Sequence, residues 1–518
     1  MHKKAICVVI LAAALGTVAV LYRTLQLNAY RVEDILEIYQ QDANYGDITI
    51  EYPLNGTLFP PEMVRPVFRW KDSVPASRAW LVRIEFADGN PFMHFLMRRQ
   101  QWTPCQEDWD KIKLSSLEQE AQVVILGIDK REHVRILSRG RMSFRTSKDP
   151  VEAPLFYRDV RLPFLEADKN LPDIRWRFGS ILSSKRPPVV LKGLPVCGNC
   201  HSFSRDGKTL AMDVDYAHRK SSYVITTIKE QTILASKDII TWKAPGNTEI
   251  TYGLLSQISP DGRYAVSTVK DLSVFVPKPE LAFSQEFFPV KGILRVYDRE
   301  TGRFRDLTGA NDPNFVQSNP TWSPDGKYIV FARTRAPDLR NTKHRMWLTR
   351  IESREFVTSG KPFQYDLYRI PFNDGNGGTA EPLEGASNNG VSNYFARYSP
   401  DGKWIVFCRA KSYMLLQPDS ELYIIPAEGG NARRLRCNTS RMNSWHSFSP
   451  NGKWLVFSSK AYSDYTQLCL THIDENGYST PAVLLPHLTA PDRAANIPEF
   501  VNTHPGAIIN IHKQFLRD

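Results

Sequence analysis

The residues of this chain whose types and spacing could do chemistry are Cys197, Cys200 and His201, which form a Cys-x-x-Cys-His motif. This spacing is typical of covalent haem c attachment, in which two thiols bond the vinyl groups on one edge of a porphyrin and the histidine ligates the iron. The motif therefore predicts a haem c with Cys197 and Cys200 as thioethers and His201 as proximal ligand. A structural disulfide or an unmodified pair of thiols would explain the same spacing in an exported protein.

A repeated turn begins directly after this motif. It reads Ser-Arg-Asp-Gly at 204–207 and recurs as Ser-Pro-Asp-Gly or Ser-Pro-Asn-Gly at 259–262, 323–326, 399–402 and 449–452. Serine first, proline second and glycine last are typical of a type I turn. An aromatic or aliphatic residue precedes each turn, and a strand-like segment follows it. Four strands per unit at a period of about fifty or more residues predict the blades of a β-propeller.

The last blade needs strands from elsewhere in the chain. Residues 495–500 predict a sixth innermost strand and residues 506–511 a second one, after which the sequence ends. A propeller that did not close would leave a long unpaired strand edge. We therefore expect an all-β, six-bladed propeller over 194–518, closed by the Pro-rich linker 149–193. The strand-like pieces of this linker are 173–181 and 189–192.

Residues 194–511 resemble TolB-like propellers, whose repeats carry the same aromatic-Ser-Pro-Asp-Gly-Lys-x-aliphatic-x-Phe pattern. This resemblance implies a fold more than a function, since such propellers serve as protein-binding platforms, enzyme lids and sugar-processing modules. With the haem motif, the chain also resembles exported propeller proteins often labelled cytochrome-c-related, to which the segments 283–292 and 415–421 are similar. The second resemblance implies electron transfer or redox-linked binding.

Alignment of the turns gives the predicted haem a sixth ligand. His446 falls at the position of His201, two residues before the aromatic that precedes the turn. Because both inner strands would line the central channel, a haem on His201 would take His446 as its axial partner. Met212, just after the first turn, is the rival ligand. For both residues the alternative is structural, since buried methionine and histidine commonly serve packing and hydrogen bonding.

The channel mouth is a second candidate site, because the residues just before the turns are polar or aromatic. We expect a binding surface formed by Asn319, Tyr394, Arg397, Trp445, Asn496 and Glu499. The insert 277–292, in the second blade, is too apolar for a simple solvent loop. It is expected to cap the channel or dock a partner, and packing against the N-terminal domain is the alternative.

The N-terminus predicts export. Lys3 and Lys4 precede an uncharged, mostly apolar run at 5–22, which Arg23 ends. This run is long for a signal peptide and just long enough to span a membrane, so residues 1–23 predict an uncleaved anchor, with a cleaved signal as the alternative. The two lysines place the body on the periplasmic side of the inner membrane.

Two further regions lie between the anchor and the linker. Residues 24–46 form a spacer with one short helical pattern at 32–39. Residues 47–148 alternate polar and apolar positions in short segments, which predicts a small β-sandwich. Its aromatic strands resemble a fibronectin-type-III-like module. The predicted strands are 48–52, 66–70, 79–86, 123–128 and 141–145.

Composition excludes several classes of function. The net charge of +11 is scattered, without the basic patch that nucleic-acid binding requires. Gly-x-Ser-x-Gly, His-Glu-x-x-His, P-loop and Rossmann motifs are absent, so an enzyme is the least favoured class. Cys408, Cys437 and Cys469 fall in strand-like segments and are expected to be buried free thiols, with an unassignable disulfide as the alternative.

The sequence thus favours an anchored, exported propeller with one haem c, acting in electron transfer or redox-linked binding. The alternative is a propeller without haem that binds a peptide, an envelope protein or a glycan at the channel mouth. Nothing in the sequence predicts an oligomeric state.

Overall fold

The computed structural model describes residues 30–87, 89–130, 133–181, 183–195, 198, 201–217, 219–243, 249–281, 285–338, 348–357, 364–411 and 418–516. Contacts between residues divide the chain into two units, 1–150 and 151–518. The predicted anchor at 1–23 and the thiols Cys197 and Cys200 lie outside the described residues. No helix among the described residues is long and apolar enough to cross a membrane.

The described part of the N-terminal unit contains one hydrogen-bonded sheet and two short helices, α1 (Val32–Ile38) and α2 (Gln106–Ser115). Its strands follow the order β5-β4-β7-β8-β1-β3-β6, and β2 pairs with β8. The strands and the first helix expected from the sequence are present, whereas the sequence pattern does not predict α2, β2, β5 or β6. The strands are β1 (Gly46–Tyr52), β2 (Thr57–Phe59), β3 (Phe68–Asp72), β4 (Ala79–Phe86), β5 (Met93–Met97), β6 (Gln101–Trp102), β7 (Ala121–Lys130) and β8 (Val134–Thr146).

Aromatic side chains form the centre of this first unit. Phe59 packs edge-on against Trp109 and Phe144, with ring centroids 5.3 and 5.7 Å apart. The Trp109 indole N–H donates to the Met63 carbonyl at 2.8 Å, so its polar edge is satisfied within the core. Helix α2 buries only Trp109 and Ile112. Two apolar contacts in ten residues are too few to give a helical period in the sequence.

The C-terminal unit, as far as the structure describes it, is built mainly of strands, with two α-helices, α3 (Phe164–Lys169) and α4 (Arg354–Val357), between them. The strands that form its first half are β9 (Leu155–Arg161), β10 (Arg175–Gly179), β11 (Val189–Lys192), β12 (Ser202–Phe203), β13 (Thr209–Tyr216), β14 (Arg219–Thr227), β15 (Gln231–Leu234), β16 (Ile239–Thr241), β17 (Gln257–Ile258), β18 (Tyr264–Pro277), β19 (Gln285–Asp298) and β20 (Arg303–Asp306). Those of its second half are β21 (Phe315–Trp322), β22 (Tyr328–Arg335), β23 (Asp366–Pro371), β24 (Glu381–Pro382), β25 (Ser392–Tyr398), β26 (Trp404–Ala410), β27 (Glu421–Pro426), β28 (Arg433–Arg434), β29 (Asn443–Phe448), β30 (Trp454–Ser459), β31 (Gln467–His472), β32 (Val483–Leu484), β33 (Arg493–Phe500) and β34 (Asn510–Lys513).

These strands form antiparallel sheets that run outwards in chain order. The sheets β12-β13-β14-β16, β25-β26-β27-β28 and β29-β30-β31-β32 are separate, and β17-β18-β19-β20 joins β21-β22-β23-β24 through one parallel pair, Gly292 with Val316. The first strands of successive sheets lie side by side. The sheets are therefore the propeller-like blades that the repeated turns predict.

One sheet combines the two ends of this unit. Its innermost strand β33 pairs antiparallel with β9, and β10 and β11 follow outwards. The linker 149–193 thus supplies three strands, not two. The prediction that residues 506–511 form the second strand is wrong, because β9 occupies that place. Strand β34 instead pairs in parallel with β15.

The Ser-Pro-Asp-Gly turns are held by the same local hydrogen bonds in sheet after sheet. In the turn at 399–402, Ser399 Oγ donates to Asp401 Oδ1 at 2.5 Å and accepts the Trp404 backbone N–H at 3.0 Å. Gly402 has a φ of +75°, a conformation that glycine adopts without steric cost. Because these bonds join residues at most five positions apart, the turn is recognisable from sequence alone.

A buried ion network connects β33 to the closing linker. The Arg493 guanidinium is 3% exposed and lies 3.3 Å from Asp159 Oδ1 and 2.5 Å from Asp173 Oδ2. Asp159 also pairs with Arg177 at 2.6 Å, and Asp173 with Arg161 at 2.6 Å. Removing one partner of a buried ion pair leaves an uncompensated charge, which costs more than an exposed pair contributes.

We therefore predict that Arg493→Met lowers the free energy of unfolding by about 3 kcal/mol, measured by urea denaturation. The matched control is Arg441→Met, because Arg441 pairs with Asp464 at the surface, with the two side chains 40% and 49% exposed. This control should cost under about 1 kcal/mol. Equal losses in the two variants would contradict a structural role for the buried network.

Candidate ligand-binding channel

The innermost strands share a bulge at the same position, and this bulge shapes the channel they surround. Five residues at this position have φ between 51° and 60°, the left-handed region that costs a residue with a β-carbon about 1 kcal/mol or more. Four bulges interrupt the strand registers in β21, β25, β29 and β33. The fifth residue, Leu255, has the same backbone conformation in the turn before β17. A bulge re-aims the side chain, and all five residues line the channel: Leu255, Asn319, Phe395, Trp445 and Ile497.

Beside these bulges lies a narrow inner cavity of about 40 Å³. This volume holds about three water molecules. The residues that line it, besides these five, are His201, Gln257, Pro320, Ala396, Arg397, His446, Pro498 and Glu499.

A wider cavity of about 220 Å³ opens at the end of the channel where the Ser-Pro-Asp-Gly turns meet. We call it the turn-side cavity. Gln257, Arg397 and Glu499 line both cavities, so these three polar side chains form a layer between them. The other residues of the turn-side cavity include Arg205, Pro260, Pro324, Tyr398, Pro400, Pro450 and Asn502.

His201 and His446 occupy equivalent places in the inner cavity, as alignment of the turns predicts. His201 Nε2 donates to the Ile497 carbonyl at 2.9 Å, and His446 Nε2 donates to the Val406 carbonyl at 2.9 Å. Burial lowers the pKa of each imidazole to about 3, so both rings are neutral at physiological pH. Each histidine therefore ties one inner strand to the neighbouring sheet.

The described residues do not fit a haem in this channel. The His201 ring is 1% exposed and packs edge-on against Phe156, with centroids 4.9 Å apart. Its Nε2 is used in the bond to Ile497, and its Nδ1 is enclosed in protein without a hydrogen-bond partner. A cavity that holds about three waters has no room for a porphyrin between His201 and His446.

Met212 does not reach the channel. Its side chain is fully buried in an apolar cluster with Phe156, Trp176 and Leu210. The thioether therefore fills the core of its blade, which is the structural alternative for this residue. Because it lies away from the inner cavity, it does not face His201 as an axial ligand would.

The predicted channel-mouth residues separate into three places. Asn319 and Trp445 line only the inner cavity, beside the bulges. Arg397 and Glu499 line both cavities and belong to the layer between them. Tyr394 and Asn496 line neither cavity. Each directly precedes a bulged residue, so the side chain points to the other face of its strand.

Polar atoms on the channel wall are left without partners. Both amide atoms of Asn319, Oδ1 and Nδ2, are buried and make no hydrogen bond. Oε2 of Glu499 is likewise buried without a hydrogen-bond partner. Beside Asn319, Phe395 and Trp445 stack with ring centroids 4.5 Å apart. An aromatic face next to unsatisfied donors and acceptors is typical of a binding site, since buried polar atoms usually have partners.

Glu499 and Arg397 set the electrostatics of the layer between the cavities. Burial raises the pKa of the Glu499 carboxyl to about 7, although the positive charge of Arg397 opposes this rise. Arg397 itself makes one long contact, from Nη1 to Thr321 Oγ1 at 3.5 Å. Near neutral pH the layer therefore carries a full positive charge and a carboxyl that is about half protonated.

The long hairpin of β18 and β19 extends beyond its own sheet and contacts other parts of this unit. Its outer part packs Phe275 against Phe164, with centroids 4.9 Å apart, and the Lys460 ammonium donates to the Leu281 carbonyl at 2.8 Å. Phe164 follows β9 and Lys460 follows β30, so the hairpin contacts segments next to two other sheets of this unit. The expectation that the insert 277–292 caps the channel or docks a partner stays a prediction.

Arg205, Gln257 and Phe395 are channel residues that the sequence analysis missed. Arg205 stands where the other four turns have proline, and this departure from the repeat is a signal that could have identified it. Phe395 aligns with Trp445, so the alignment of the turns that identified the two histidines could also have identified Phe395. Nothing in the sequence marks Gln257 as a channel residue except its position before an aliphatic residue and a turn.

Comparison with known proteins gives similarity of fold alone. No protein-family model and no curated protein matches the sequence. Solved structures similar to this chain include TolB from Acinetobacter baumannii (16% identity, TM-score 0.42, covering 74% of this chain and 79% of that chain). They also include a putative TolB from Agrobacterium tumefaciens (16%, 0.36, covering 67% and 98%) and an oligogalacturonate lyase in complex with manganese (14%, 0.35, covering 60% and 69%).

The raised pKa of Glu499 predicts a pH-dependent stability. Its carboxyl titrates near 4.5 when unfolded and at about 7 in the fold, so its stabilising contribution is complete below pH 4.5 and is lost as pH rises through 7. We expect the melting temperature of Glu499→Gln, relative to the natural chain, to rise between pH 5 and pH 8. The exposed Glu381→Gln is the control and should show no such trend.

The poor fit of a haem is tested directly by spectroscopy. Full-length protein produced together with the c-type cytochrome maturation machinery should show no Soret band and no pyridine haemochrome. Its mass should equal that of the polypeptide. A stoichiometric covalent haem would contradict the assignment of His201 to strand closure and would restore the electron-transfer hypothesis.

Proposed function

We propose that this chain is a binding protein in which a closed six-bladed propeller holds a segment of a polypeptide partner in its channel. The observation that carries the proposal is the set of buried polar atoms without partners on the channel wall, at Asn319 and Glu499. A partner that supplied donors and acceptors at these atoms would recover the hydrogen bonds that the folded chain lacks.

The dimensions of the channel favour a peptide over the other predicted ligands. The turn-side cavity of about 220 Å³ has room for the end of an extended peptide, and the adjoining inner cavity of about 40 Å³ has room only for a small group at its tip. A peptide also offers alternating N–H and C=O groups to the layer of Gln257, Arg397 and Glu499. Phe395 and Trp445 provide an apolar face for one of its side chains.

Catalysis is not part of the proposal, because the cysteine–histidine pair that the described residues place beside the inner cavity is inert. Cys408 Sγ lies 3.9 Å from His446 Nδ1, which resembles a cysteine–histidine pair. The thiol is fully buried, however, and burial raises its pKa to about 12. A thiol that stays protonated and inaccessible does not attack a substrate.

The proposal places the propeller outside the cytoplasm, because residues 1–23 have the charge and hydropathy of an export segment. In this proposal the N-terminal unit serves as a spacer or docking module, as its resemblance to a fibronectin-type-III-like module implies. The partner is then a protein of the cell envelope or a peptide that reaches it.

Selection from a random peptide library tests this function. Peptides displayed on phage are selected on immobilised, detergent-solubilised full-length protein, and the affinities of enriched sequences are measured by fluorescence anisotropy. We expect Trp445→Ala and Arg397→Met to weaken binding about tenfold or more, since each removes a wall group that contacts the ligand.

The control for this experiment is Arg303→Met, which removes the same charge from an exposed edge strand. It should leave the affinity unchanged. The proposal fails if no sequence is enriched, or if all three variants bind the enriched peptides as the natural chain does.

A further inference from the structure

We propose that the turn-side cavity is a carboxylate-binding site, in which Arg205 and Arg397 hold the C-terminal carboxylate or an acidic side chain of the bound peptide. The inference deepens the proposed function and rests on it, because it names the chemical group that the channel recognises. It starts from two arginines that line one cavity and from the carboxylates that they lack.

Arg205 is positioned by the departure of its turn from the repeat. Its backbone N–H, which a proline would not have, donates to the Pro260 carbonyl at 2.8 Å. Its guanidinium reaches across the channel to the Pro324 carbonyl at 3.3 Å and the Pro400 carbonyl at 3.4 Å. These bonds use two of its five N–H donors, so the side chain is held in place with donors to spare.

Arg397 belongs to the layer of polar side chains between the two cavities and also lines the turn-side cavity. Its one hydrogen bond is the long contact with Thr321, and within the described part of the chain neither Arg397 nor Arg205 has a carboxylate within 4.0 Å. By contrast, Arg177 and Arg493, which are buried in this unit, are both paired with Asp159. Arg397 is half-buried and Arg205 is exposed, so an anion can reach both guanidinium groups from solvent, and an incoming carboxylate would pair with a guanidinium bidentately.

The remaining ionisable groups of the turn-side cavity do not oppose the binding of an anion near neutral or acidic pH. They are Glu499 and Tyr398, and burial raises the pKa of both. A protonated Glu499 adds no negative charge and can donate a hydrogen bond to a carboxylate. In the adjoining inner cavity, His201 and His446 stay neutral. The cavity therefore has two fixed positive charges and one carboxyl whose charge opposes binding only when pH rises.

Matched small probes test the site on the detergent-solubilised full chain by isothermal titration calorimetry. Acetylglycine carries a C-terminal carboxylate, acetylglutamic acid α-amide carries an acidic side chain, and acetylglycinamide carries neither. We expect one or both carboxylates to bind and the amide to bind at least about tenfold more weakly. The carboxylate that binds more tightly identifies the source of the group.

Variants then assign the binding to this cavity. Arg205→Met and Arg397→Met should each weaken carboxylate binding about tenfold or more, and Arg205→Gln, which keeps a polar head, serves if the methionine variant is unstable. Arg303→Met removes an exposed positive charge and should have no effect. Binding should be tighter at pH 6 than at pH 8, and Glu499→Gln should abolish this difference.

Equal binding of carboxylate and amide probes, or equal losses in Arg303→Met and the two cavity variants, would overturn the site. The two proposals fail separately. If selected peptides bind the channel but neither compete with acetylglycine nor respond to Arg205→Met, the carboxylate site is wrong and peptide binding stands. If no peptide is selected but the carboxylate probes bind as described, the site stands and peptide binding is wrong.

Discussion

The pairing of β33 with β9 is the interaction on which the rest of the C-terminal unit depends. Apart from the parallel pair of β15 and β34, the other described sheets of this unit form from strands closer together in the chain, whereas this one joins residues more than 300 positions apart. Without it, both ends of the blade series would present unpaired backbone groups. The buried network of Arg493, Asp159 and Asp173 crosses the same seam, so charge neutralisation and strand pairing are completed together.

How much of this fold could be predicted follows from the range of the interactions. The turns were recognisable because Ser399 and Asp401 make their bonds within five residues. The order of strands at the seam was mispredicted because β9 lies in a Pro-rich stretch without a clear alternating pattern, and its partner is distant. The bulges could not be predicted, since Phe395, Trp445 and Ile497 have no preference for the left-handed backbone that their strands impose.

In the candidate site, too, the sequence predicts positions within the repeat but not the surroundings that distant residues provide. Alignment of the repeats correctly brought His201 and His446 to one cavity. The spacing of Cys197, Cys200 and His201 carries no information about Phe156 or the Ile497 carbonyl, which occupy the surroundings of the imidazole. Arg205 is the opposite case, because its difference from the repeat was visible in the sequence while its reach to Pro324 and Pro400 required the structure.

The seam also determines when during synthesis the protein can become stable. A ribosome produces β9, β10 and β11 early, and they must wait for β33 while some three hundred residues are added. Throughout that interval the inner edge of β9 is open to pairing with other chains, and a closure of such long range is slow. Export as an unfolded chain would postpone this hazard, because the first and last strands would reach the same compartment before either has folded.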